Sequence, residues 1–154
     1  MKSSEITAER RRLMAQPDWL QVRRIAPITF TIGQQDRVLL LLQLQLAMSE
    51  PINTGIFAYL ARGFQSRMYE RLIGSPAHFY MGSQRLVPFT LSAMEALMFL
   101  AQLQLALTHP ANRRPNGVAD LARSFGRKIQ ERLSVNPTIA RVCELGWEVE
   151  DEGR

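Results

Sequence analysis

The chain has a single cysteine, Cys143, in 154 residues. One thiol excludes an intrachain disulfide and any cysteine-built zinc cluster, and it suits a reducing compartment, so a cytoplasmic location is expected. Long apolar runs are missing as well. Even the longest, such as ALMFLA at 96–101 or the all-aliphatic Val38 to Leu42, are far short of the roughly 20 residues a membrane-spanning helix needs, so no membrane partner is expected. The opening MKSSEITAERRRLMAQPDW contains no apolar segment of the secretory kind. There are only two histidines, His78 and His109, both in proline-marked stretches, and neither stands in an HxxxH or HxxE spacing that would hold a metal. The nine glycines are scattered, with no GxGxxG or GKS/GKT run to cradle a phosphate. No metal and no cofactor are therefore expected.

Lysine is scarce too. Lys2 and Lys128 are the only two, against seventeen arginines, and Arg is the better fork for phosphate or carboxylate. The formal charge of +5 is uneven along the chain. Glu144, Glu148, Glu150, Asp151 and Glu152 form an acidic C-terminal tail over 144–154. Residues 1–143 then hold 18 basic side chains (19 less Arg154) against 9 acidic ones (14 less those five).

What is present is an internal echo. QLQLA occurs at Gln43 and again at Gln102, a shift of 59 that also sets Phe30-Thr31 on Phe89-Thr90 and Pro51 on Pro110. After two extra residues in the second copy the shift becomes 61. LARGFQSRMYERL (60–72) then faces LARSFGRKIQERL (121–133) with seven of thirteen positions identical, and Pro76 meets Pro137. The chain reads as one domain over 1–154 built by tandem duplication of a unit of about sixty residues, with repeats at 24–76 and 85–137.

Each unit has three parts. An extended stretch comes first, RIAPITFTI (24–32) and RLVPFTL (85–91), with apolar residues alternating at Ile28, Phe30, Ile32 and at Val87, Phe89, Leu91. A helix start follows. Ser92 and Glu95 form a capping box, with Gly33 and Asp36 at the equivalent positions, and the pattern predicts helices over 34–48 and 93–107, apolar on nearly every side. QLQLA falls inside these helices, so its alternation is incidental and its glutamines are expected on the less buried side. Second helices begin near Asn53 and Asn116, with apolar stripes at Ile56, Leu60, Phe64, Met68 and at Val118, Ala122, Phe125, Ile129, Leu133. A helix at 4–15 precedes the repeats. A short one near 138–145 leads into Trp147 and Val149, which alternate like an edge strand. The fold class expected is mainly α with minor β. Four main helices form a pseudo-twofold core, joined by the N-terminal helix and short strands that can pair as a ribbon.

No catalytic residue is assigned and no enzyme is expected. Cys143 sits at apolar spacing in a short helix, where a packed thiol is the reading. Glu70 and Glu131 each follow a basic residue by three positions, Arg67 and Lys128, and read as surface ion pairs. An enzyme of unfamiliar type would need a deep pocket holding His78 or His109 beside a carboxylate.

The doubled order strand–helix–helix, with its capped first helix, resembles two ribbon-helix-helix subunits fused in one chain, over about 24–72 and 85–133. That resemblance implies DNA reading by the ribbon. The outward ribbon positions here, Thr29, Thr31, Pro88 and Thr90, carry no Arg, Lys or Gln to read bases, and the loop THPANRRPNG exceeds the family's tight turn.

Two functions from different classes follow. The leading one is a non-catalytic helical interaction, adaptor or regulatory protein that binds another protein or itself, as monomer or homodimer. Its candidate contacts are the aromatics Phe79, Tyr80, Trp19 and Trp147. The alternative is a nucleic-acid-binding protein. Its candidate contacts are Arg62, Arg67 and Arg71 on one second helix, their counterparts Arg123, Lys128 and Arg132 on the other, and Arg113 and Arg114 in the loop.

Overall fold

The structure, a computed structural model, describes residues 2–50, 55–73, 86–114 and 116–152. Within them the chain is mainly helical, with six α-helices and one small antiparallel sheet. Helix α1 (Ser3–Met14) and a 3-10 helix (Pro17–Arg24) lead into strand β1 (Ile28–Ile32), helix α2 (Gln34–Met48) and helix α3 (Gly55–Ile73). Strand β2 (Val87–Leu91), helix α4 (Ala93–Ala106), a 3-10 turn (Pro110–Asn112) and helix α5 (Gly117–Leu133) repeat that order. Helix α6 (Pro137–Glu152) closes the described chain. The expected start of the first extended stretch at residue 24 moves to Ile28, because Pro17–Arg24 is wound into the 3-10 helix.

The strands pair as an antiparallel ribbon whose register centres on Phe30 opposite Phe89, flanked by Thr29 opposite Thr90 and Thr31 opposite Pro88. Phe30 and Phe89 are also the pair that the echo sets in correspondence, so the ribbon is symmetric about that point. Alternation sends Ile28, Ile32, Phe89 and Leu91 into the core and leaves Thr29, Thr31, Pro88 and Thr90 exposed. The hydroxyls of Thr29 and Thr90 hydrogen-bond across the outer face at 2.9 Å.

Beneath the ribbon α2 packs against α4, with α3 on α2 and α5 against both. The core is aromatic at its centre. Phe99 of α4 meets Phe64 of α3, Phe89 of β2 and Phe125 of α5, with ring centroids 6.1, 6.1 and 5.5 Å away. On α3 the buried stripe is Ala61, Phe64, Met68 and Leu72, while Leu60, expected in that stripe, is 54% exposed.

Helix starts follow local chemistry. Ser92 Oγ accepts from the Glu95 amide at 3.2 Å, and the Glu95 carboxylate accepts from the Ser92 amide at 3.0 Å. Asn116 and Asn136 cap α5 and α6 in the same way, through the amides of Ala119 and Ile139. Gly33, holding the Ser92 position in the first half, offers α2 no side-chain cap.

Glu95 also accepts an ion pair from Arg71, which ties the end of α3 to the start of α4. Burial opposes ionisation of Glu95, but the hydrogen bonds from Arg71 and Ser92 outweigh it and hold the carboxyl below its ordinary value. A depressed folded value means the contribution is complete above the unfolded carboxylate range and is lost as pH falls through the folded value. Glu95→Gln is therefore expected to lower stability by about 1 kcal/mol at pH 7, a modest figure because Arg71 is solvent-accessible. Urea titrations at pH 7 and pH 3 check this, since the difference between variant and parent should shrink at the lower pH.

The C-terminal region departs from expectation. Residues 137–152 form one helix, not a short helix, an edge strand and an acidic tail. Ile139, Cys143 and Trp147 recur every four residues and are all buried, so the helical period runs straight through the two-residue alternation at Trp147 and Val149. Two of the acids expected in that tail have partners. Glu144 meets Arg127 at 3.1 Å, and Glu148 meets Arg141 at 2.8 Å. Arg141 also binds Glu9 of α1 at 2.9 Å, while Ile6 and Leu13 of α1 pack on Leu145. Helix α6 is thus sandwiched between α1 and the α4–α5 pair.

The glutamines of the echo also depart from expectation. Gln43 and Gln104 are buried, Gln45 is exposed and Gln102 is half-buried. Gln43 exchanges hydrogen bonds with Asn112 in the loop that is two residues longer in the second copy. Gln104 donates to the Cys143 carbonyl of α6 at 2.8 Å. Each buried amide faces an element distant in sequence, Gln43 the loop before α5 and Gln104 helix α6.

Candidate interaction surfaces

The repeated basic set divides once placed. Arg71 is held by Glu95, and Arg123 is held by Asp120 at 3.3 Å. Arg62, Arg67, Lys128 and Arg132 are exposed along α3 and α5, and Arg113 and Arg114 are exposed in the loop before α5. Both second helices lie against α2 and share no extensive contact with each other. Lys128 lines a cavity of about 270 Å³ beside the outer ribbon, together with Thr29, Thr31 and Asp36.

The aromatic candidates fare differently. Trp147 is 3% exposed and belongs to the core, so its place as a protein contact is corrected: its ring covers Gly126, under the guanidinium of Arg127 at 4.5 Å, and its indole N–H donates to Gln130. The backbone of Trp19 lies in the 3-10 helix Pro17–Arg24, and its side chain lies outside the described structure. Phe79 and Tyr80 fall at 74–85, outside the described residues, as does His78. His109 caps the 3-10 turn, its Nδ1 accepting from the Ala111 amide at 3.0 Å.

A surface the sequence did not single out is the groove between α2 and α3. Val38, Leu41, Leu42 and Gln45 form one wall, and Gln65, Ser66, Tyr69 and Glu70 form the other, around about 550 Å³. Leu42 is 47% exposed and Tyr69 56%, and Tyr59 farther along α3 is 76% exposed. Large side chains left in water in this number mark an interaction face more often than a scattered single residue does. The signal available in sequence was Tyr69 itself, an aromatic where the second repeat has Gln130.

Arg37 was missed as well. It is buried within α2, where the second repeat has Ala96, and its Nη1 donates to the Leu72 carbonyl at 3.1 Å. The last turn of α3 leaves carbonyls without intrahelical partners, and a cation there also meets the negative end of the helix dipole. Arg37 is an internal cap for α3.

Cys143 is 2% exposed, and its thiol is pushed up to about 12, chiefly by burial and further by the charge of Glu144. At pH 8 such a thiol is roughly 10⁻⁴ thiolate, so alkylation of the folded chain is expected to run orders of magnitude slower than that of the urea-unfolded chain. Timed labelling with iodoacetamide, read by mass, checks this.

Among the described residues no group of three or more His, Cys, Asp or Glu is placed to hold a metal, and no helix is long and apolar enough to cross a membrane. No family model, curated protein or solved structure matches the chain.

Proposed function

We propose that this chain is a non-catalytic scaffold, a duplicated strand–helix–helix unit that binds a protein partner through the α2–α3 face. The supporting observation is the open groove with Leu42 and Tyr69 half in water at its walls. Burying the exposed half of each side chain against a partner would stabilise a complex by roughly 1 kcal/mol apiece, before the entropy cost of association. The test is a photo-crosslinking residue placed at Tyr69 and, as a control, at Met98, in cells that express the full chain. A discrete crosslinked protein at position 69, absent at 98 and lost on Leu42→Glu, is expected. Equal or no crosslinking at both positions would overturn the reading.

A second reading is favoured by one observation, the symmetric ribbon with an exposed threonine face and Lys128 beside it. Threonine hydroxyls can hydrogen-bond to base edges, and flanking cations can meet phosphates. In that case a labelled DNA duplex binds with a steep salt dependence, and Arg67→Glu with Lys128→Glu weakens binding across all sequences. Absence of binding at low salt retires this reading.

A further inference from the structure

We infer that the free edge of strand β1 takes up an extended peptide segment of a partner protein, which lies as a third strand in the cleft between β1 and helix α5. The segment turns an apolar residue toward Leu40 and Phe125 and carries a charged residue of each sign beside it. This site is separate from the α2–α3 face and does not depend on that reading.

The edge is read from the ribbon's register. Main-chain bonds in an antiparallel ribbon join alternate residue pairs. Pro88 has no N–H, yet the pairing runs on past it to Ile32 opposite Val87. The bonded pairs are therefore Ile28 with Leu91, Phe30 with Phe89 and Ile32 with Val87. Thr29 and Thr31 turn their N–H and C=O groups away from β2, and among the described residues no backbone bond from outside the ribbon reaches them. The close approach of the Thr29 and Thr90 hydroxyls, 2.9 Å, fits a non-bonded pair, in which side chains stand nearer. The other edge differs. The echo sets Pro88 on Thr29, so the outer edge of β2 lacks the donor that Thr29 supplies. Proline blunts an edge against further pairing, and of the two strands only β2 contains one.

β1 keeps its donors beside a cavity of matching shape. Thr29, Phe30, Thr31 and Ile32 all line the space of about 270 Å³. Side chains of a strand alternate between faces, so consecutive residues line one cavity along the strand's edge. The opposite wall is a single face of α5, Leu121, Ser124, Phe125 and Lys128, spaced by three and four residues. A strand edge facing a helix receives an extended segment, with main-chain bonds supplying affinity and side-chain pockets selecting residues. Four residues of strand span about 13 Å, room for a short segment. Leu40, buried where the second repeat has the larger Phe99, lines the cavity and leaves space for an apolar side chain beneath the new strand. Asp36 and Lys128, both exposed, put one charge of each sign at the rim, which a segment with one basic and one acidic residue complements. A space this small admits one strand and not the ribbon of a second folded copy.

The test uses the full chain and a capped peptide of sequence KTVTVTE. A copy methylated at its main-chain nitrogens keeps the side chains but lacks the donors to pair as a strand. Binding is followed by fluorescence anisotropy of the labelled peptide and by amide hydrogen exchange of the protein, read by NMR. In the chain alone the amides of Thr29 and Thr31 should exchange quickly. The peptide should bind saturably and slow both by roughly tenfold or more, while the amide of Thr90, on the outer edge of β2, stays fast. The methylated copy should bind roughly tenfold or more weakly. Ser124→Trp fills the cleft from an exposed helix position without touching the ribbon, and should weaken the peptide by a similar factor. Lys128→Glu should weaken it as well, and replacing the peptide's Glu by Lys should then restore binding. The inference is overturned if Thr29 and Thr31 are already protected in the chain alone, which would mean that the edge is paired within the fold. It is also overturned if no saturable binding appears at millimolar peptide, or if the methylated copy or the Ser124→Trp chain binds equally well. Protection of Thr29 and Thr31 that grows with the concentration of the chain alone would make a second copy the occupant and would equally remove the partner segment.

Discussion

Phe99→Ala is expected to lower the stability of the folded chain by about 3–5 kcal/mol, the range for removing a fully buried aromatic ring. Phe99 is 0% exposed and its ring meets three others. Those three come from α3, β2 and α5, so the deletion loosens both outer helices and the ribbon at once. Each aromatic contact contributes about 0.5–1.5 kcal/mol beyond the apolar area it buries, which puts the cost toward the upper part of the range. A chain of this size has about 5–15 kcal/mol in total, so the variant should fold but melt on the order of 10 °C lower. Phe99→Leu should cost markedly less, because it keeps most of the volume. Tyr59→Ala, at a side chain 76% exposed, should cost close to nothing. Urea unfolding followed by circular dichroism ranks the three. A loss below about 1.5 kcal/mol for Phe99→Ala would mean that the core closes over the missing ring and that the four phenylalanines are not its centre.

How much of this was legible in the sequence depended on how local the determining physics is. Helix α2 runs from Gln34 to Met48, as the sequence predicts, because the helix-start signal at Gly33 and Asp36 acts within a few residues. The ribbon was legible from the alternation at Ile28, Phe30, Ile32 and at Phe89, Leu91, which a half-buried strand requires. Burial of the echo glutamines was not legible. Identical QLQLA segments bury different amides, since Gln43 faces Asn112 and Gln104 faces α6, and neither neighbour is local in sequence. Trp147 was misplaced for a related reason. Its alternation with Val149 is a local pattern, whereas the missing side chain of Gly146, which lets α6 approach Gln104, matters only once α4 lies beside it. The α2–α3 groove was least legible of all, because the exposed side chains at its walls form no motif. Its one trace is the change from Gly126 and Gln130 to Gln65 and Tyr69, which becomes meaningful only after α6 is seen lying on the first pair.

Gly146→Ala tests that seating directly and is expected to cost about 2–4 kcal/mol. A Cβ at position 146 would lie 1.8 Å from Oε1 of Gln104 and 2.2 Å from its Cδ. The amide is the far end of a flexible side chain, and in a loose site it would swing away cheaply. Here it is 6% exposed and bound to the Cys143 carbonyl, so moving it breaks a buried hydrogen bond and presses it into packed neighbours. Overpacking of this kind costs about 1–3 kcal/mol, and a buried amide left unpaired costs a similar amount. Alanine's better helix propensity returns up to about 1 kcal/mol. Gln104→Ala removes the obstacle, so the double variant should be more stable than the sum of the single losses by more than about 1 kcal/mol, a coupling of the size that contacting residues show. Chemical unfolding of the two singles and the double supplies the cycle. If Gly146→Ala is neutral on its own, Gln104 has a second place to go, and the tight approach of α6 is not what fixes it. If instead the single is destabilised and the double is not rescued, the strain lies in the helix backbone and not against the amide. Only coupling between the two positions supports the account in which one missing side chain on α6 and one buried amide on α4 hold the helix in its seat.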